Sequence, residues 1–199
     1  MDQLENLREK SVGIAGCGGL GSNCAVALAR VGVGHLIIVD FDIISESNLN
    51  RQYYFYDQIG KSKVLALKEN IARINPLVKV TAINMKLDDQ NITGIFDEVD
   101  VLVEAFDSSD QKQILIETAL IQWPERPLVI GIGMAGWGGN ELIHMKQYRN
   151  LFICGDRITE IGPLMPPLAP RVGIVSNMQA NTVLQILLNG SLVGKQHNN

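Results

Sequence analysis

Residues 11–40 are SVGIAGCGGLGSNCAVALARVGVGHLIIVD, two apolar runs joined by a glycine-rich turn and an alanine-rich segment. Ser11–Gly16 is a short apolar run closed by glycine, the pattern of a strand covered on both faces. Leu20–Val31 is rich in alanine and valine and then meets Gly32 and Gly34, which suits a helix stopped by glycine. His35–Asp40 (HLIIVD) is the next strand. Strand, glycine turn, helix and strand in that order predict a βαβ unit. Within the turn, Gly16, Gly18 and Gly21 satisfy G-x-G-x-x-G in the required place, after a strand and before a helix. Such glycines let the chain turn tightly and bring phosphate oxygens to backbone N–H groups at the positive end of a helix. The alternative reading is that they merely permit close packing of helix on strand.

Val64, Leu67, Ile71 and Ile74 recur at spacings of three and four between Lys61 and Asn75, and Pro76 follows, predicting an amphipathic helix with a stop. Upstream, Leu4 and Leu7 give the chain an amphipathic start. Val78–Ile83 alternates in strand fashion, Val99–Phe106 is an apolar strand, Ser108–Gln122 is helical and Pro127–Ile132 is a further strand. Glu141–Tyr148 and Leu151–Cys154 are predicted to pair antiparallel. Gly162–Pro170 (GPLMPPLAP) is too rich in proline for a helix and reads as an ordered loop or a mobile flap. It leads to a last helix, Val172–Asn189, closed by Gly190 and apolar around much of its circumference, which suits a core helix or one that also lines a subunit interface. Strands alternating with helices at these lengths predict an α/β, Rossmann-like doubly wound fold, with a mostly parallel sheet and late antiparallel strands.

The 199 residues suit one domain, 1–199, and 46% hydrophobic against 19% charged residues exclude a disordered chain. A net charge of −4, with no basic stripe, gives no field for a phosphate backbone, so no nucleic acid partner is expected. The polar start MDQLENLREK and the lack of any apolar run of about 18 residues predict a cytoplasmic protein without membrane association. Cys17, Cys24 and Cys154 form no C-x-x-C pair, so neither a disulfide framework nor a structural zinc is expected.

Asp40 ends the second strand, where a carboxylate can accept hydrogen bonds from both ribose hydroxyls of a nucleotide; it could equally be a cap or a solvated strand end, and Asp42 lies beside it. To this point an NAD-dependent oxidoreductase fits as well as any other nucleotide-binding protein. The following polar loop, DFDIISESNLNRQ, adds Asn48 and Arg51, and Lys63 stands in the first turn of the amphipathic helix, off its apolar face. A carboxamide, a guanidinium and an ammonium near a phosphate loop suit a triphosphate attacked at its α-phosphorus, where charge builds during displacement. Hydride transfer makes no such demand. Read singly, the two cations are ordinary solvated side chains. Asp107 closes an apolar strand where open α/β sheets bind ligands; it could hold a hard cation against phosphate or cap the helix after it.

In combination, GCGGLGS, IVDFD, SNLNRQ, GKSKV, RINP and VEAFD resemble the ubiquitin-activating-enzyme superfamily, in particular the bacterial ThiF/MoeB/HesA adenylyltransferases that activate ubiquitin-like sulfur carriers. APRVGIVSNMQA near the C-terminus resembles the family too, so the likeness covers nearly the whole chain. NLNRQYYF and the short length look most like compact ThiF-type members of thiamine biosynthesis. The resemblance implies that Gly16, Gly18, Gly19 and Gly21 frame ATP, that Asp40 with Asp42 serves the ribose side, that Asn48, Arg51 and Lys63 surround the phosphates, and that Asp107 coordinates Mg²⁺. It implies adenylation of a carrier's C-terminal carboxylate, with Arg51, Lys63 and Asp107 as the catalytic set. The nucleophile is already an anion, so positioning and charge neutralisation suffice and no general base is needed. An inactive relative that only binds nucleotide or carrier, and an enzyme adenylating a modified tRNA base or a peptide precursor, carry the same motifs.

The chain departs from the family in lacking paired C-x-x-C zinc knuckles. Cys154, in LFICG, reads as a buried inert thiol rather than a sulfur-transfer residue. Family members place an arginine from a second subunit in the site. Arg8 is the nearby candidate here, but its surroundings do not match that motif and no role is assigned to it. A homodimer is expected from the resemblance and from the apolar last helix. The loop GMAGWGGN, with Gly136, Gly138 and Gly139, could shape a groove for an extended peptide tail or be a turn between strands. His35, His144 and His197 are scattered and receive no role.

Overall fold

The apolar runs become seven strands of one sheet: β1 (Ser11–Ala15), β2 (His35–Asp40), β3 (Lys79–Asn84), β4 (Val101–Glu104), β5 (Leu128–Gly131), β6 (His144–Tyr148) and β7 (Leu151–Gly155), in the order β3-β2-β1-β4-β5-β7-β6. The computed structural model describes residues 4–189; Gly190 and His197 lie outside the described residues. Among the described residues five α-helices accompany the sheet: α1 (Gly19–Arg30), α2 (Lys63–Ile74), α3 (Ile92–Phe96), α4 (Ser109–Gln122) and α5 (Ala169–Asn189). All neighbouring strands run parallel except β6 and β7, whose antiparallel register joins His144 to Gly155 and Tyr148 to Leu151. The two late strands pair antiparallel, as the sequence predicts, and the structure places them at one edge.

Side chains alternate across the strands and divide the core in two. Val12, Ile14, Leu36, Ile38, Val101 and Val103 face one way and pack with apolar residues of α1, α2 and α5. Ala15, Val39, Leu102, Leu128 and Ile130 face the other way, against α3 and α4. Helices thus cover both faces, the requirement for a buried parallel sheet. The apolar girth of α5 is largely taken up within one chain, since it packs on α1 and on β4, β5 and β7.

Some elements differ from their sequence reading. β6 begins at His144 rather than Glu141, because Gly139, at φ +60°, turns the chain into a short 3-10 turn over Asn140–Leu142. α5 begins at Ala169, three residues earlier than Val172, and takes Pro170 into its first turn. Proline is tolerated there because the N–H it lacks would have no partner inside the helix. α3 is one short turn-and-a-half whose Ile92 and Phe96 are buried; a five-residue helix offers too little periodicity to be read. The proline-rich segment is tied down as a loop by bridges between Ala135 and Pro167 and between Gly162 and Met165. Gly136 N–H also donates to Pro166 O at 2.9 Å, so the GMAGWGGN loop and the proline-rich loop brace each other. No described helix is long and apolar enough to cross a membrane.

Candidate nucleotide site at the sheet's switch point

From β1 the chain crosses through α1 to β2 on one side, while β4 continues through α4 to β5 on the other. The carboxyl ends of β1 and β4 are therefore where connections diverge, and open α/β sheets leave a ligand crevice at that point. The glycine turn fills its mouth. Gly16, at φ +96°, is in the left-handed region, and its N–H donates to Val39 O at 2.8 Å. A Cβ on Gly16 would stand 2.8 Å from Ala105 O, so the turn also lies directly against the end of β4.

The glycines have separate duties. A Cβ on Gly21 would fall 1.8 Å from Gly16 O, a contact that only a shift of α1 off the sheet could relieve. A Cβ on Gly18 would meet nothing nearer than Gln52 Nε2 at 3.8 Å, which leaves the backbone open to an approaching ligand. Gly21 thus serves the packing reading and Gly18 the ligand reading: the two coexist in one motif. Gly21→Ala is expected to destabilise the fold by about 1–3 kcal/mol, read as a fall in the thermal midpoint. Gly18→Ala should leave the midpoint almost unchanged.

The loop after β2 is stitched onto this turn. Asn23 Nδ2 donates to Arg51 O at 2.9 Å and to Gly19 O at 2.7 Å. Ser22 Oγ accepts from Tyr53 N–H at 2.9 Å and donates to Gly18 O at 2.6 Å. The Tyr54 hydroxyl donates to Cys17 O at 2.7 Å. A Cβ on Gly19 would lie 3.5 Å from Arg51 Cγ and 3.0 Å from Val172 Cγ1, so the arginine stem and the start of α5 both border the first turn of α1. The Arg51 guanidinium folds back onto Ser47 O at 3.1 Å and Asn50 Oδ1 at 2.7 Å. Asn48 Oδ1 accepts from Ser45 N–H at 3.0 Å, capping the short turn Glu46–Asn48.

Lys63 is the first residue of α2 and only 6% exposed, more enclosed than its place off the apolar face suggests. Its Nζ lies 2.7 Å from Asp42 Oδ2, and its N–H donates to Asp42 O at 3.0 Å. Asp40 is buried, and each of its oxygens already accepts one backbone N–H: Oδ2 from Cys17 at 2.7 Å, Oδ1 from Asp42 at 2.8 Å. It locks the glycine turn to the tip of β2 and keeps further lone pairs for another donor. Asp107 is exposed in the turn between β4 and α4.

Several residues that border this region have no role in the sequence reading, although Gln52 and Glu104 fall within its motifs. Gln52 is 8% exposed, its Oε1 has no partner among the described residues, and it sits over Gly18. Glu104, the last residue of β4, is fully buried; Oε1 accepts Phe106 N–H at 2.7 Å and Oε2 pairs with Lys112 Nζ. Burial pushes the Glu104 carboxyl above its ordinary value of 4.5, and Lys112 and the Phe106 N–H offset part of that rise. Farther along the same edge, Arg171 pairs with buried Asp156 and also donates to Gly138 O.

The three thiols are buried. Burial, then the nearby Asp40, pushes Cys17 well up; burial, then Cys154, raises Cys24. Cys154 is pushed up to about 11 by burial, against a lowering contact with Thr182. None has thiolate character near neutrality, in agreement with the inert reading of Cys154. Arg8 stands on the turn Glu5–Glu9 beside Gly34, at the amino ends of β1 and β2, whereas this site lies at the carboxyl ends, so it cannot reach the site within one chain. No cluster of three or more His, Cys, Asp or Glu suited to a metal ion occurs among the described residues.

The chain is similar over its length to named proteins. It is 29% identical over 191 residues to the molybdopterin-synthase adenylyltransferase of Escherichia coli strain K12, covering 94% of this chain and 76% of that one. It is 33% identical over 200 residues to the adenylyltransferase and sulfurtransferase MOCS3 of Caenorhabditis briggsae, covering 96% of this chain and 49% of that one. Among solved structures, the E. coli tRNA N6-threonylcarbamoyladenosine dehydratase TcdA, in complex with AMP, superposes with a TM-score of 0.86 at 20% identity, covering 94% and 90% of the two chains. That likeness is one of fold. The ThiF family model matches residues 1–199 from end to end, and with the glycine turn, the SNLNRQ loop and the switch-point sheet in their places, the chain belongs to the ThiF family.

Proposed function

We propose that residues 1–199 act as one adenylyltransferase domain that activates the C-terminal carboxylate of a ubiquitin-like sulfur carrier with ATP. The observation that carries this reading is the stitching of the Arg51 loop onto the glycine turn, with Lys63 enclosed nearby on Asp42. ATP would lie across the switch point, its phosphates on the N–H groups of α1's first turn and its ribose toward Asp40 and Asp42. Arg51 would swing from Ser47 O to the phosphates, with Asn48 beside it, and Lys63 would neutralise charge on the α-phosphate.

A carrier carboxylate oxygen attacks the α-phosphorus, the bond from that phosphorus to the bridging oxygen breaks, and pyrophosphate leaves with the electron pair. The product is an acyl-phosphate anhydride for a later sulfur donor. A divalent cation takes few protein carboxylates when phosphates and water complete its shell. The single exposed Asp107 therefore fits Mg²⁺ arriving with ATP, and such an ion would supply further neutralisation of phosphate charge. A homodimer remains part of the proposal, supported by the family resemblance.

The carrier's pathway is where the likenesses diverge. The wording of the motifs resembles ThiF-type members of thiamine biosynthesis, whereas some of the similar proteins bear molybdopterin-synthase names and others are named adenylyltransferase and sulfurtransferase. The test is exchange of labelled pyrophosphate into ATP in the presence of thiamine-type and molybdopterin-type carriers. Exchange that requires one carrier is expected. Exchange with neither carrier, or nicotinamide absorbance changes without pyrophosphate release, would overturn the reading in favour of an inactive relative or an oxidoreductase.

A further inference from the structure

Glu104 and Lys112 lie beneath the candidate site rather than in it, and their pairing has a cost that packing does not require. A carboxylate without solvent must be compensated, and an apolar residue of the same size would fill the space more cheaply. What the pair does is gather four elements at one point. Glu104 Oε1 accepts Phe106 N–H at 2.7 Å, which folds the chain at the end of β4. Oε2 takes the ammonium of Lys112, from the second turn of α4, and that ammonium also donates to Gly131 O at 3.1 Å, at the end of β5. From α5, Gln179 Nε2 donates to Glu104 O at 2.9 Å. The turn fixed in this way is Phe106–Asp107, and Phe106 Cδ1 stands 3.2 Å from where a Cβ on Gly16 would be. The backbone that carries the exposed Asp107, next to a residue whose ring borders the phosphate loop, is thus set from below.

We infer that Lys112 is a positioning residue: through Glu104 it holds the Phe106–Asp107 turn so that Asp107 meets the cation that accompanies ATP. This rests on the reading of Asp107 given above. Removing a group that orients a metal ligand typically costs about 10–100-fold in metal affinity. The loss should therefore fall on the metal-dependent part of nucleotide binding and spare the rest.

The experiment is calorimetric titration of the full chain with ATP in excess Mg²⁺ and with ATP in chelator. Wild type is expected to bind ATP more tightly with Mg²⁺, and Asp107→Asn to lose that gain. Lys112→Met should lose about 10–100-fold of the gain with chelated-ATP binding unchanged, and Lys112→Arg should keep most of it. If Lys112→Met fails to fold by thermal melting, the neutral pair Glu104→Gln with Lys112→Met takes its place and should show the same loss. A full Mg²⁺ gain in the folded Lys112 variant overturns the inference while leaving Asp107 its role. A full gain in Asp107→Asn, or no ATP binding by wild type, overturns the underlying reading instead.

Discussion

Lys63→Ala and Arg51→Ala are each expected to lower carrier-dependent pyrophosphate exchange by about 10²–10³-fold, the usual cost of removing one group that stabilises developing charge. For Lys63 the loss should come with almost no loss of fold. Its side-chain partner, Asp42, is 48% exposed at the side chain and can return to water when the ammonium is gone. Pairs with one solvated partner contribute about 0–1 kcal/mol to stability. An enclosed ammonium whose removal leaves the fold intact but stops the reaction has a functional role rather than a structural one. Arg51 differs in that its guanidinium is parked on Ser47 O and Asn50 while its stem crosses Gly19. Lys at this position should rescue poorly, because an ammonium cannot reproduce a planar two-pronged contact with phosphate. Exchange within threefold of wild type in both alanine variants would remove these side chains from the mechanism.

Arg171→Leu should give the largest stability loss of any single change considered, about 3–5 kcal/mol, because it strands a buried charge. Asp156 is fully buried at the side chain and its Oδ1 accepts Ile158 N–H at 2.7 Å and Thr159 N–H at 2.9 Å, while Oδ2 takes the Thr159 hydroxyl and Arg171. Burial pushes the Asp156 carboxyl up, but the Thr159 and Ile158 amides, the Thr159 hydroxyl and Arg171 outweigh it and hold it below its ordinary 3.8. A carboxyl depressed in the folded state contributes stability above its unfolded pKa and loses it as pH falls through the folded one. The wild-type contribution is therefore complete at neutral pH and fades only in strong acid. Without the guanidinium the folded value rises, so acid unfolding of Arg171→Leu should begin at higher pH. Urea melts across pH check both points; a loss under 1 kcal/mol at neutral pH would show that Arg171 is not what compensates Asp156.

The parts of the fold legible in the sequence are those with a local signature. SVGIAG and HLIIVD declare buried strands by apolar run and glycine closure, and α2 by spacing and Pro76. Glycine spacing places the phosphate turn, and the polar letters of SNLNRQ mark the loop that folds onto it. What stayed hidden depends on partners far apart in the chain. Ser22 and Asn23 look like small helix residues until Tyr53 and Arg51 arrive from 28 to 31 positions away. Glu104 reads as one letter in an apolar strand, and its meaning comes from Lys112, Gly131 and Gln179 on three other elements. Lys63 was legible as a cation near the site. Its enclosure was not, since the Asp42 contact depends on how the loop between β2 and α2 closes.

Adenylation requires that the phosphorus under attack be the innermost one. It is tested most directly by giving the protein its carrier with ATP radiolabelled at either the α- or the γ-phosphate and following the label. Label from the α-position should appear on the carrier, while the γ-label leaves as pyrophosphate. Transfer of the γ-label to the carrier, or its release as free inorganic phosphate with ADP, would rule out adenylation.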